Sequence, residues 1–248
     1  MFVPLWDHNP LESVRFQFVT IGLIIVNCAV FFALQLGLIY PVPDALQVSF
    51  ALVPNELLST IGRQPVAAVP LGTSIPEGMT LITYMFMHGG YMHLFGNMIF
   101  LWVFGDNVED AMGHARFLFF YLICGIFAGM THALVSPTSD LPLIGASGAV
   151  AGVIAAYLML HPNVRVWCLW FFRIPLRVSA GFALLVWIGL QFLSIWMGGD
   201  PSVAWWAHIG GLIAGAVLVL FMRRPGVPLF DRATGLEPKP QSGVPSSR

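Results

Sequence analysis

Long apolar runs alternate with short polar connections along the chain. Six of the runs predict membrane-spanning helices, at about 16–39, 80–104, 116–135, 146–161, 178–197 and 203–222, set against the roughly 20 residues that cross a bilayer. The fourth is short and sits at the low limit for spanning. Residues 1–15 precede the first run, 40–79 join the first to the second, and 223–248 follow the last. The predicted fold is an all-α membrane protein, a six-transmembrane-helix bundle.

Basic residues set its orientation. With the N-terminus inside, Arg15, Arg116, Arg165, Arg173, Arg177, Arg223 and Arg224 flank the inner ends of the spans. Arg232, Lys239 and Arg248 follow in the tail, and Arg63 alone falls outside. Ten of the eleven basic residues are then inside, which predicts that both the N-terminus and the C-terminus are cytoplasmic. Residues 1–15 carry Asp7, Glu12 and Arg15 and do not read as a cleaved signal, so the first run reads as a retained span. The external loop 40–79 holds six prolines but also apolar patches such as Phe50-Ala-Leu-Val, which predicts that it lies in the membrane interface. Residues 223–248 read as a flexible cytoplasmic tail.

Composition agrees with this picture. Of 248 residues, 57% are hydrophobic and 9% charged, with a mean hydropathy of +0.80; a soluble domain carries about 25% charged residues. The net charge of −1 predicts no nucleic-acid partner. Cys28, Cys124 and Cys168 are scattered through apolar sequence, which predicts neither a disulfide framework nor a zinc site.

Polar groups inside the spans are costly and are candidates for function. His93 and Asn97, four residues apart in the second span, share a helix face. Ser147 opens the fourth span between glycines, in Gly145-Ala-Ser-Gly148, and His208 lies in the sixth. Taken singly, each such group is as readily explained by packing against a neighbouring helix. Measured from the inner helix ends, however, Asn97 lies roughly 12 Å up, His93 roughly 18 Å, Ser147 roughly 21 Å and His208 roughly 22 Å. Four polar side chains from three helices therefore fall in one layer, toward the outer face. The small-residue faces Gly148/Gly152 and Gly211/Gly215 let the fourth and sixth helices approach closely, and Gly125/Gly129 gives the third a similar face.

This layer suits acyl transfer. An imidazole beside a hydroxyl can act as general base and then protonate a leaving amine. Asp140 and Asp200 are expected at the outer surface, not at the level of His208, so a Ser147–His208 dyad is predicted, its ring oriented by packing. The Ser147 backbone N–H, Asn97 and His93 are candidate oxyanion donors.

These residues resemble the rhomboid family of intramembrane serine proteases. Gly145-Ala-Ser147-Gly resembles its nucleophile motif, Ala207-His208 with Gly211 and Gly215 its base-bearing helix, and His93-Leu-Phe-Gly-Asn97 its oxyanion helix. Gly105, Glu109, Gly113 and Arg116 resemble its GxxxExxxGxxR stretch. The resemblance implies a six-helix fold and cleavage of single-pass transmembrane substrates with small residues and easily unwound helices, without a cofactor. It also implies a structural role for His88. Two positions depart from the family pattern: Met79-Thr80 stand where well-known members carry Trp-Arg, and Ala151 where some place an aromatic that stacks on the base. Glu109 and Arg116 are expected to bond each other or helix ends, and His8, His114, His132 and His161 to be interfacial or packing residues.

The fifth span, bulky with Phe182, Leu184, Leu185, Trp187, Phe192 and Trp196, is expected to be the movable side past which substrate arrives. Other readings carry less. A non-catalytic relative that binds transmembrane clients would not need both Ser147 and His208. A metal site of His93, His132 and His208 lacks HExxH and a carboxylate at that depth. A transporter lacks an inverted repeat. The minimal six-helix layout with an inward N-terminus suits a bacterial inner membrane.

Overall fold

The computed structural model describes residues 2–39, 47–61, 75–170, 173–198 and 203–232. The parts of the external loop at 40–46 and 62–74, the tail beyond 232, and Arg63, Asp200, Lys239 and Arg248 lie outside the described residues. In chain order the elements are β1 (Phe2–Asp7), α1 (Phe18–Ala29, continuing as a π-helical turn Val30–Gln35), α2 (Pro54–Ile61) and α3 (Glu77–Thr83, ending in a 3₁₀ turn Tyr84–Phe86). There follow α4 (Tyr91–Met112), α5 (His114–Val135), α6 (Ser147–Leu160), β2 (Arg165–Trp170), β3 (Ile174–Ser179), α7 (Ala180–Trp196) and α8 (Trp205–Met222).

Among the described residues three helices are long and apolar enough to cross a membrane: Phe18–Gln35, His114–Val135 and Trp205–Met222. Ser147–Leu160 and Ala180–Trp196 are shorter apolar helices. The predicted second span, 80–104, is the one the fold redraws. Its helix breaks after Phe86 and restarts at Tyr91, where Gly90 supplies an extended turn at φ 158°, then runs on to Met112. The extension carries Asp106, Glu109 and Asp110, and the last two are buried. Their charge is matched locally. Glu109 accepts the backbone N–H groups of Val19 and Thr20 and the Thr20 hydroxyl, and bonds His114 Nδ1 at 2.5 Å. Asp110 accepts from the N–H groups of Glu12, Ser13 and Val14. Glu109 thus takes up orphan donors at the start of α1, where negative charge is favoured, and Asp110 those of the segment leading into it. Glu109 bonds a helix end rather than Arg116, which is exposed, and His114 is its partner rather than a packing residue.

The fold is mostly helical rather than all-α. β1, β2 and β3 form an antiparallel sheet in that order, with Asp7 opposite Val166 and Val166 opposite Val178. One face buries Pro4, Val166 and Cys168 against the bundle; the other carries Trp6 against Trp167, with the Arg177 guanidinium over the Trp167 ring. Residues 1–15 are therefore partly a docked strand. The start of the tail is docked as well: Arg224 N–H donates to Ala111 O, Phe230 N–H to Met159 O and Asp231 N–H to Leu160 O.

The core is built around α6, which is buried on nearly all sides from Gly148 to Tyr157. Its small residues let α8 touch it backbone to backbone. A Cβ on Gly215 would lie 2.2 Å from Gly152 O. The Gly125/Gly129 face of α5 receives the Met85, Tyr84 and Leu52 side chains instead of a helix. In the external loop, Leu52 and Leu57 are fully buried, and Leu52 pairs with Leu143 through 3.0 and 2.8 Å backbone hydrogen bonds. The apolar patch around Leu52 thus packs into the protein core and pins the strand leading to Ser147, where an interfacial position was expected.

Candidate functional site

Ser147 is the first residue of α6, so its N–H has no partner within the helix, and no side chain caps that end. The residues before it are fixed by Leu52 and by Tyr84 O, which accepts the Gly145 N–H at 2.9 Å. Gly145 is at φ 119°, a backbone conformation that favours glycine, and a Cβ there would lie 2.5 Å from His93 Nε2 and 3.7 Å from Asn97 Nδ2. The approach to the serine is therefore packed directly on the polar face of α4.

Ser147 Oγ and His208 Nε2 are 2.9 Å apart. His208 Nδ1 lies 2.7 Å from Gln191 Oε1 on α7, and Gln191 Nε2 donates to Trp187 O at 3.0 Å. These contacts define the protonation pattern. The amide NH₂ is committed to a carbonyl, so Oε1 faces the ring and accepts Nδ1–H. Nε2 then carries the lone pair and accepts the serine proton. The ring is also flanked by Trp187 at 5.9 Å and Trp205 at 6.1 Å. A hydrogen bond supplements the packing that was expected to hold it. Ala151 is buried near Gly211, and the supporting role falls to α7 and the start of α8.

His93 and Asn97 complete the surroundings. His93 Nδ1 accepts the Gly89 N–H at 3.3 Å, which leaves its proton on Nε2, the atom facing Gly145. Asn97 is buried, and its Nδ2 has no hydrogen-bond partner among the described residues. Two side-chain donors therefore lie against Gly145, two residues before Ser147, whose own N–H is the third candidate for holding an oxyanion. His88 does contact His93, with ring centroids 5.1 Å apart, because the helix break between them removes the angular separation expected of a continuous helix. Its backbone is held at both groups by Gln35 on α1: the N–H donates to Oε1 at 2.9 Å and the carbonyl accepts from Nε2 at 3.0 Å.

Gln191 is the site residue that sequence reasoning missed. Its signal was a single amide, 4% exposed in the fold, inside the apolar helix of Leu184, Leu185, Trp187, Phe192 and Trp196. Of these bulky groups Leu184 is buried and Trp187 faces the site, while Phe182, Leu185, Phe192 and Trp196 are exposed. Among the described residues no group of three His, Cys, Asp or Glu side chains could hold a metal ion.

Residues 76–225, more than half of the chain, match the family model of the Rhomboid domain. The chain belongs to the rhomboid family. It is 30% identical to the Rhomboid protease GluP of Bacillus subtilis (strain 168) over 203 residues, 82% of this chain and 36% of that protein. It is 29% identical to RHOMBOID-like protein 5 of Arabidopsis thaliana over 187 residues, 68% of this chain and 58% of that protein. With RHOMBOID-like protein 4 of the same plant it shares 31% over 191 residues, 76% of this chain and 45% of the relative. The matched part thus spans well under two thirds of these relatives' own length. Rhomboid membership and its apolar helices make the chain an integral membrane protein.

Proposed function

We propose that this rhomboid protein is an intramembrane serine endopeptidase in which Ser147 is the nucleophile and His208 the general base. The observation that carries the reading is the 2.9 Å Ser147 Oγ–His208 Nε2 contact, with the proton placement that Gln191 imposes. Oγ attacks a substrate carbonyl as its proton passes to Nε2. The oxyanion that forms is stabilised by the Ser147 N–H, His93 Nε2–H and Asn97 Nδ2–H. The imidazolium then protonates the leaving amine, and water repeats the cycle on the acyl-enzyme. Ser147 is only part-buried, which supports a water route from the outer side.

The substrates are single-pass transmembrane proteins. An intact helix hides its carbonyls in i to i−4 hydrogen bonds, so small residues and easily unwound segments favour cleavage near the outer end of the span. In this reading six helices cross the bilayer: α1, α4 to α8. Both termini are cytoplasmic, as the arginine distribution favours, and the membrane is a bacterial inner membrane.

The test is cleavage of a panel of single-span proteins by the detergent-purified protein. Ser147→Ala and His208→Ala are each expected to abolish cleavage, and EDTA to leave it intact. A serine variant that still cleaves, or wild type inhibited by EDTA, removes the assignment. A folded wild type that binds these spans without cutting them would favour a client-binding role.

A further inference from the structure

We infer that Gln191 is a positioning residue, the third member of a Ser147–His208–Gln191 relay, and that it ties the reactivity of the pair to the seat of helix α7. The inference rests on the proteolytic reading of the site. Three contacts in series carry it: Ser147 Oγ to His208 Nε2, His208 Nδ1 to Gln191 Oε1, and Gln191 Nε2 to Trp187 O, at 2.9, 2.7 and 3.0 Å. Both ends of the Gln191 amide are used, and the side chain is 4% exposed.

A neutral imidazole has two tautomers, and only the one protonated at Nδ1 can accept the serine proton at Nε2. A carboxylate orienter would select that tautomer and stabilise the imidazolium by charge. An amide selects it through an acceptor alone, at no cost of burying an ion. Among the described residues the two ring nitrogens of His208 meet Ser147 Oγ and Gln191 Oε1, and no carboxylate hydrogen-bonds the ring.

The location of Gln191 gives the relay its second property. The base of α7 is fixed, with Ala180 N–H on Val164 O at 2.8 Å and Gly181 N–H on Pro162 O at 2.7 Å. Gln191 lies ten residues further on, about 15 Å along the axis. A tilt of about 10° at the base moves it by about 2.6 Å, more than a hydrogen bond tolerates. A swing of α7 away from α8 therefore also releases the imidazole.

The experiment measures labelling of detergent-purified protein by a fluorophosphonate, a small probe that needs no passage between helices. Ser147 Oγ forms a bond to phosphorus, the P–F bond breaks, fluoride leaves, and the hydroxyl proton goes to His208 Nε2. Gln191→Leu is expected to lower the labelling rate roughly 10- to 100-fold, because Nδ1–H loses its acceptor. Gln191→Glu is expected to restore most of the rate and to move the acidic limb of the pH profile upward, since a carboxylate holds the imidazolium more strongly. Thermal unfolding of each variant reports folding separately. Wild-type rates in Gln191→Leu, or a Gln191→Glu variant no faster than the leucine variant, overturn the relay. If wild type itself labels no faster than Ser147→Ala, the nucleophile assignment fails instead.

Discussion

A Cβ placed on Gly211 would fall 1.9 Å from the carbonyl oxygen of Gly148, so α6 and α8 meet there with no side chain between them. Gly148 follows Ser147 directly, and Gly211 lies three residues beyond His208. The two catalytic candidates are therefore held beside a direct backbone-to-backbone contact of α6 and α8. Gly211→Ala must push the helices apart by more than the slack of a 2.9 Å hydrogen bond. It is expected to lower fluorophosphonate labelling at least about 100-fold, since a misplacement near 1 Å has that effect on a catalytic geometry. Gly189→Ala, whose Cβ would meet nothing within 4 Å, is the matched control and should label as wild type.

Asn97 Nδ2 has no hydrogen-bond partner among the described residues, which is what a donor reserved for a developing charge looks like. Asn97→Ala should reduce kcat for transmembrane-substrate cleavage by about 100- to 1000-fold with little change in KM. His93→Ala should act in the same direction. Unchanged kcat in Asn97→Ala would remove Asn97 from the oxyanion set, leaving the Ser147 N–H and His93.

At the opposite end of the molecule, the side chain of Asp7 on β1 accepts the Tyr157 hydroxyl of α6. Burial raises the Asp7 pKa from 3.8 to about 6, although the Tyr157 hydrogen bond works against the rise. The folded protein therefore holds this proton more tightly than the unfolded chain. The stabilising effect is complete below about pH 4 and is lost as pH rises through about 6. Asp7→Asn removes this titration and keeps an acceptor for Tyr157. Relative to wild type, the variant's Tm should rise by several degrees between pH 4 and pH 7.5 in the same detergent. A flat difference would place the Asp7 ionisation elsewhere.

Much of the helix plan was legible because apolar runs report burial in lipid or core directly. The limits 146–161 and 203–222 differ from Ser147–Leu160 and Trp205–Met222 by two residues at most. Depth counting, which needs only helix rise, placed Ser147 and His208 together, and Oγ and Nε2 are within hydrogen-bond reach. What escaped depends on contacts far apart in sequence. β1 is six residues long, and its partner begins at Arg165, so no local period announces it. The break before Tyr91 is set by Gly90 and Gln35, which a hydropathy window averages away. Gln191 escaped because an amide in an apolar helix reads first as an interhelical packing group. Its meaning appears only when His208 faces it.

The exposed face of α7 gives the last prediction. Phe182, Leu185, Phe192 and Trp196 lie open to the surroundings, while Trp187 reaches Phe100 on α4, with ring centroids 6.1 Å apart. Substrate reaches the pair between α4 and α7 if α7 is the movable side. A Phe100→Cys/Trp187→Cys variant, oxidised to the disulfide, should then lose cleavage of a transmembrane substrate and recover it on reduction. The reduced form serves as its own control for the loss of the two aromatic rings, including the Trp187 contact with His208. Labelling by the small fluorophosphonate should be no slower in the oxidised form, because the probe needs no opening and the cross-link keeps Gln191 near the ring. Cleavage that survives oxidation would move the access route away from this seam. Labelling lost together with cleavage would mean that the disulfide distorts the pair itself.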